Sequence, residues 1–274
     1  MATPSEDAVP CLPGSVNLLE ADPELAEDLH PRVIAMLGPH LMAQTAELPV
    51  GPWTPPLIEG DRRGHLGLLV LDGLLTRDVR LATTNCAELL AAGDLLRPWE
   101  PGEELPFSVE VGWEVLTPTR VAVLDRRLTA TVGRAPELNT ALMGRAVRRS
   151  RWLALHLAIR CLRRVDVRLL VLFWHLAERW GRVTREGIVL PLPFTHDLLG
   201  RLVGAQRPTV TTALGQLAAR EVVRRRDGSW LLSAELPEEL ERMDAGGAAS
   251  GVAEGRSRIF VGEGRPPAVA MSEN

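Results

Sequence analysis

A cluster of hydrogen-bonding side chains occupies positions 206–216, and its composition suits the recognition of base edges in DNA. Arg207 leads the segment, and a guanidinium can donate two parallel hydrogen bonds to the O6 and N7 atoms of guanine. Thr211 and Thr212 can contact phosphates through their hydroxyls, or the thymine methyl through their own methyls. The predicted base- and backbone-reading residues of this segment are Gln206, Arg207, Pro208, Thr209, Thr211, Thr212 and Gln216.

A second basic group follows closely and completes the predicted site. Arg224, Arg225 and Arg226 stand immediately before Asp227-Gly228, the pair most typical of a two-residue hairpin turn. Arginines on such a hairpin would lie near backbone phosphates, where they raise affinity and carry little sequence information.

Local signals predict the elements that position these side chains. Thr195 can cap a helix over 196–203, Gly204 permits the left-handed turn that reverses the chain, and Gly200 is small where a second helix must cross. A second helix from Arg207 tolerates Pro208, because first-turn amides have no partner within a helix. The predicted buried residues are Leu198, Leu199, Leu202 and Val203 in the first helix, and Val210, Leu214 and Leu217 in the second.

Together these elements predict a winged helix-turn-helix domain over residues 166–235. Asp166 is expected to cap its first helix, and Gly181 is expected to end that helix. An alternative stays open, in which the winged helix contacts protein only and its arginines form a solvated face.

Upstream of this domain, residues 136–165 have the pattern of one long helix. Trp152, Leu155, Ile159 and Leu162 recur at steps of three, four and three, the spacing of a coiled-coil seam. We therefore predict that these four residues form a dimer interface, with an amphipathic helix lying on its own domain as the alternative.

The N-terminal part has the pattern of a different class of structure. Short apolar runs between 57 and 125, broken by Asp72-Gly73 and Gly93-Asp94, predict an antiparallel sandwich or small barrel. A short helix is expected from Pro31 to Leu48. The sequence predicts disordered tails at 1–16 and 243–274, with this β domain and its leading helix over 17–135.

Composition limits the remaining classes of function. The net charge of the 274 residues is −4, but residues 201–228 carry six arginines against two acids, and this local field attracts phosphate. No long apolar run or secretory signal is found, and Cys11, Cys86 and Cys161 are too far apart for a disulfide framework, so a reducing cytoplasm is expected. The absence of a phosphate-cradling glycine loop, HExxH or GxSxG argues against an enzyme.

The segment THDLLGRLVGAQRPTVTTALGQLAAREVV resembles the helix-turn-helix of the Crp/Fnr family of bacterial regulators. LGLLVLDGLLTR and AELLAAGDLLRPW are similar to that family's cyclic-nucleotide-binding-like β-roll, and Asp166 stands where the family has its interdomain hinge. The resemblance implies an α+β fold: an antiparallel, jelly-roll-like β-roll, a dimerisation helix and a winged helix-turn-helix. It also implies a homodimer on palindromic double-stranded DNA, with RNA polymerase as a further partner and no membrane association.

The effector region departs from the family pattern. Arg97-Pro98-Trp99 stands where cyclic-AMP-binding members have Gly-Glu-Leu, and no arginine occurs between Arg97 and Arg120 to anchor a phosphate. Neither a metal nor an iron–sulfur cofactor is expected, since the cysteines and histidines lack ligand spacing. A small-molecule effector of unknown identity remains open, as does regulation without one. The candidate effector pocket consists of Arg97, Trp99, Trp113, Trp152 and His156.

Overall fold

The computed structural model describes residues 14–27, 29–55, 64–99 and 106–249, which form two compact units. The first unit ends at Trp152 and the second begins at Leu153. Within the described residues, no helix is both long enough and apolar enough to cross a membrane.

The first unit is built on an antiparallel sheet with the order β1-β2-β7-β4-β5, in which β3 also pairs with β7 and β6 with β4. The α+β class and the antiparallel N-terminal sheet predicted from the sequence are thereby confirmed. The strands are β1 (Ser15–Asn17), β2 (Met42–Leu48), β3 (Gly51–Pro52), β4 (Gly67–Leu81), β5 (Thr84–Ala91), β6 (Leu95–Leu96) and β7 (Val109–Leu124).

Strand β4 is buried on both faces, which explains its uninterrupted apolar run. Leu68 and Val70 pack inside the roll with Trp99, whereas Leu69 and Leu71 pack against the helices of this unit. Alternate residues of a strand point to opposite faces, so one strand serves two cores.

Asp72-Gly73 does not form the predicted turn, because β4 continues through it with an irregular register. A Cβ on Gly73 would lie 2.4 Å from the hydroxyl of Thr119 and 2.5 Å from the Pro118 carbonyl, so glycine permits close approach of β7. The backbone amide of Leu74 donates to the Thr119 hydroxyl at 3.1 Å. The predicted turn at Gly93 is present, and the carboxylate of Asp94 accepts from the Ala91 amide at 2.8 Å.

Two boundaries near the N-terminus differ from the predictions. The helix expected from Pro31 to Leu48 ends at Leu37, because Gly38-Pro39 form a short 3-10 turn and the chain continues as β2. Residues 1–13 of the predicted disordered tail lie outside the described residues. Ser15 and Val16 of that tail are strand, paired with Gln44 and Ala43.

The helices of the first unit include α1 (Leu18–Ala21), α2 (Pro31–Leu37) and α3 (Arg126–Val132). Helix α4 (Pro136–Cys161) is the long helix predicted from the sequence, and its last nine residues belong to the second unit.

The described residues of the second unit form four further helices and a four-stranded antiparallel sheet of order β10-β11-β9-β8. The hairpin of β8 and β9 was not predicted from the sequence. Gly187 follows its turn with a φ of 135°, and this glycine is the local signal that could have indicated it. The elements are α5 (Val165–Trp180), β8 (Arg182–Thr184), β9 (Gly187–Leu190), α6 (His196–Val203), α7 (Arg207–Ala219), β10 (Val223–Arg226), β11 (Ser229–Leu232) and α8 (Glu238–Ala249).

Two predictions about the second unit need correction. Asp166 is not the N-cap of α5: Arg164 holds that position, and the Asp166 carboxylate accepts from the Arg164 guanidinium, with Nε to Oδ1 at 3.1 Å. The tail predicted to be disordered from 243 begins inside α8, where three glutamates in the first turn favour a helix start. Residues 250–274 lie outside the described residues.

Candidate nucleic-acid interface

Helix α6 and the turn after it follow the predicted local chemistry. The Thr195 hydroxyl accepts from the Leu198 amide at 3.1 Å, and Gly204 adopts the left-handed conformation with φ 67° and ψ 48°. A Cβ on Gly200 would lie 2.5 Å from the Ala205 carbonyl, so only glycine lets the turn close this tightly.

Helix α7 is divided into a buried face and an exposed polar face. Val210, Leu214 and Leu217 are buried, as predicted, and Ala213 joins them. The predicted reading residues lie at the N-cap and along the first ten residues of the helix, the part that approaches base edges when such a helix enters the major groove. All seven are exposed: Gln206 at the N-cap, then Arg207, Pro208, Thr209, Thr211, Thr212 and Gln216.

Two of the three threonine hydroxyls on this face, those of Thr211 and Thr212, are already engaged. Thr211 donates to the Arg207 carbonyl at 3.0 Å, and Thr212 donates to the Pro208 carbonyl at 3.2 Å. A hydroxyl has one hydrogen, so neither can donate to a phosphate at the same time. What they offer outward is an acceptor lone pair and a methyl group, which suits bases better than the backbone.

His196, which sequence reasoning did not single out, extends this polar surface. Its Nδ1 lies 2.9 Å from the Thr211 hydroxyl, and its ring is 6.5 Å from the ring of Trp230. Nε2 is the second polar atom of the ring.

The wing is the hairpin of β10 and β11, closed by Asp227 and Gly228 with φ values of 47° and 77°. Both values are positive, as a type I′ turn requires, so the Asp-Gly signal is confirmed. Trp230 fixes the wing to the domain through its contact with Phe173, with 4.9 Å between ring centroids.

The three wing arginines, all exposed, are in different surroundings. Arg225 pairs with Trp230 across the hairpin, and its guanidinium carbon lies 5.5 Å from the centroid of that ring. Arg226 forms an ion pair with Glu186 in the turn between β8 and β9. Arg224 has no ion pair to any other described residue, so it is the most available of the three to a phosphate.

The second unit contains a histidine pair, of which His156 is buried and His175 is half-buried. The rings of His156 and His175 are 6.4 Å apart in an edge-to-face arrangement. Burial, followed by the nearby His156 and Arg179, lowers the pKa of His175 from 6.5 to about 4. Among the described residues, no group of three or more histidine, cysteine or acidic side chains is arranged to hold a metal ion.

The residues predicted as a dimer seam are not the exposed stripe of α4. Ile159 is 3% exposed, and Trp152, Leu155 and Leu162 are half-buried within the single chain. The large apolar side chains that α4 does expose are Met143 (61%), Val147 (44%), Leu153 (40%) and Leu157 (67%).

The predicted effector-pocket residues have mixed surroundings. Trp99 is 6% exposed in the core of the roll, with Trp113 packed against that core and 5.6 Å from Trp53. Arg97 is exposed, Trp152 is half-buried, and His156 lies in the second unit. In the first unit, the structure thus places Trp99 and Trp113 together, as packing partners.

Charged side chains hold α4 to the rest of the first unit. Arg149 donates from Nη2 to Glu88 at 2.8 Å and from Nη1 to the Leu95 carbonyl at 3.1 Å. Arg145, only 5% exposed, donates from Nη2 to both oxygens of Asp22, at 2.7 and 2.8 Å. A buried charge that loses its partner is costly, so these pairs favour a fixed helix.

Comparison with known protein families identifies the second unit. Residues 167–243 match the family model described as the Crp-like helix-turn-helix domain. This segment is therefore similar to Crp-like helix-turn-helix domains. The expectation drawn from THDLLGRLVGAQRPTVTTALGQLAAREVV is confirmed, and it is the same segment that carries the exposed face of α7 and the wing.

Solved structures extend the likeness beyond the Crp-like domain to most of the chain. A CooA mutant from Carboxydothermus hydrogenoformans is 17% identical, with a TM-score of 0.59 over 83% of this chain and 95% of that one. A transcriptional regulator of the CRP/FNR family from Thermus thermophilus is 23% identical, with a TM-score of 0.52 over 73% and 98%. The chain therefore has the fold of Crp/Fnr regulators. No curated protein matches it in sequence.

Proposed function

We propose that this chain is a sequence-specific DNA-binding transcription regulator that acts as a homodimer. The observation that carries the proposal is the exposed polar face of α7, flanked by the arginine wing, on a Crp-like domain. Arg207 begins that helix and has no ion pair to another described residue, so its guanidinium is available to a base edge.

Base reading and affinity are divided between two surfaces in this proposal. Arg207, Thr211 and Thr212 are assigned to the bases. The hydroxyl hydrogens of the two threonines are held within the helix, which leaves an acceptor lone pair and a methyl group for that contact. The wing adds phosphate contacts, chiefly through Arg224. Phosphate contacts position the protein on the duplex, whereas base contacts select the site.

The dimer is proposed to form through an exposed stripe of α4 rather than through the seam predicted from the sequence. Exposed residues recur at steps of four, three, four, three and four, as in a coiled coil: Met143, Val147, Ser150, Ala154, Leu157 and Cys161. An apolar stripe of this length on a helix surface is covered at lowest cost by a copy of itself.

Leu157 is 67% exposed in the middle of this stripe and provides the test of the dimer. We expect Leu157→Glu to convert the protein to a monomer in light scattering, because two like charges would meet across the seam. Val183→Glu is the matched control, since Val183 is 63% exposed but lies on β8. A dimeric Leu157→Glu protein would show that another surface associates.

Regulation without a small molecule is the second candidate, and the ion pairs of α4 favour it. Arg149 and Glu88 tie the helix to the roll, and Trp99 packs in the roll core, where the sequence had predicted part of an effector pocket. Thermal shift with cyclic nucleotides and with lipophilic metabolites separates the candidates, since any bound effector raises the unfolding temperature.

The proposed function is tested by selecting genomic DNA fragments with the purified protein at moderate salt. Enrichment of a palindrome with half-sites about 10 base pairs apart is the expected result for two recognition helices in successive major grooves. Protein carrying Arg207→Ala is the matched control, and its enriched fragments should lose the preference at one base pair of each half-site. No enrichment, even with cell extract added, would favour a winged helix that contacts protein.

A further inference from the structure

Arg168, on the first turn of α5, joins three carbonyl groups from two separate parts of the second unit. Its Nε donates to the Leu162 carbonyl at 2.6 Å, and Nη1 donates to the carbonyls of Val203 and Gly204, at 3.2 and 3.1 Å. Leu162 lies just after the end of α4, whereas Val203 and Gly204 form the tight turn between α6 and α7. One side chain thus links the end of the long helix to the helix-turn-helix.

Arg160 reaches the same turn from α4 itself. Its Nη1 lies 3.5 Å from the Arg201 carbonyl, and a Cβ on Gly204 would lie 2.8 Å from its Nε. The lack of a side chain at Gly204 therefore leaves the space that this guanidinium occupies.

The carbonyls at the end of α6 have no partners within the helix and carry the negative end of its dipole. Two guanidinium groups are suited to this position, because each is permanently charged and donates hydrogen bonds in fixed directions. The backbone between α4 and α5 is only three residues, Leu162–Arg164, and those residues are not helical. Beside this short connection, the two arginines add side-chain links between the last turns of α4 and the turn after α6.

We infer that Arg160 and Arg168 are positioning residues that set the distance and angle between the two recognition helices of the DNA-bound dimer. The inference rests on the proposed function, and it concerns half-site spacing rather than base choice. Apolar packing holds α6 and α7 on α5, with Val203, Val210 and Leu169 all fully buried. A single domain should therefore still read one half-site when the two arginines are lost.

The test compares duplexes that carry the selected palindrome at its natural spacing with duplexes in which one or two base pairs are inserted or removed. Each base pair moves the second half-site by about 3.4 Å and rotates it by about one tenth of a turn. A duplex with a single half-site measures base reading alone. The variants are Arg168→Gln and Arg160→Gln, with Arg163→Gln as the control that removes one charge from an exposed neighbour.

The wild-type protein is expected to prefer the natural spacing by about tenfold or more. Arg168→Gln should reduce that preference to about threefold or less, with affinity for the single half-site within about twofold of wild type. Arg160→Gln should act in the same direction but less, because its contact is longer. Arg168→Lys should restore part of the preference, since lysine can donate to only some of the three carbonyls, and Arg163→Gln should behave as wild type.

Unchanged spacing preference in both glutamine variants would overturn the inference. So would a loss of half-site affinity equal to the loss at the palindrome, since that result assigns the arginines to folding of the domain. If circular dichroism shows that Arg168→Gln is unfolded, the spacing preferences of Arg160→Gln and Arg168→Lys test the inference instead. Failure of the wild-type protein to bind any half-site would instead reject the proposed function.

Discussion

His175 should make the second unit sensitive to acid, by an amount that its surroundings define. Burial lowers its pKa from 6.5 to about 4, so the folded protein keeps the ring neutral where the unfolded chain already binds a proton. Protonation of His175 therefore leaves the free energy of unfolding unchanged above about pH 6.5 and lowers it progressively as the pH falls toward about 4. The loss is about 2 kcal/mol between about pH 7 and about pH 5, and about 3 kcal/mol in full.

The assay is urea unfolding followed by tryptophan fluorescence at a series of pH values, because Trp174, Trp180 and Trp230 report on this unit. The difference between wild type and His175→Gln isolates the contribution, since glutamine does not titrate and the other groups are common to both proteins. His156→Gln is the second control: burial is the largest cause of the lowered pKa and remains, so most of the acid sensitivity should remain too. Parallel pH profiles for wild type and His175→Gln would refute the reasoning.

Three further predictions concern the DNA-binding surface. Arg207→Ala should lose about 1–3 kcal/mol of discrimination at one base pair in competition binding while the dimer persists, and unchanged discrimination would mean that the helix docks differently. Replacing Arg224, Arg225 and Arg226 with glutamine should weaken binding to all sequences. The negative slope of log K against log salt should become shallower by about 0.9 for each phosphate that the wing no longer neutralises. An unchanged slope would exclude the wing from phosphate contact. Thr195→Ala should lower the unfolding free energy in urea by about 1 kcal/mol, because it removes the cap at the start of α6, and an unaltered midpoint would show the cap to be dispensable.

The helix-turn-helix could be predicted closely because its signals are local. A capping threonine, a left-handed glycine and an Asp-Gly hairpin each act within a few residues, and Thr195, Gly204 and Asp227 all have the predicted roles. Tertiary structure has little freedom to override such signals. The wing arginines were also found this way, but their different partners depend on Glu186 and Trp230, and the folded domain determines which arginine meets each of them.

Some local patterns in the sequence fit two structures equally well. Helix α4 has two stripes with coiled-coil spacing, and the sequence analysis considered only the one containing Trp152 and Ile159, with packing on its own domain as the alternative. Periodicity cannot decide which stripe the protein buries for itself. Asp72-Gly73 likewise fits a turn or an irregular strand, and the closeness of Thr119 across the sheet decides for the strand.

Dimerisation through the exposed stripe on α4 would make DNA occupancy depend on the total concentration of the protein. In the proposed dimer, pairing through Met143, Val147 and Leu157 must come before two recognition helices are presented together, so occupancy of a palindrome would follow the concentration of dimer. Below the dissociation constant of the dimer, occupancy rises with the square of the monomer concentration, so a modest change in synthesis gives a sharper change in binding. Mass action then supplies a threshold that does not depend on an effector.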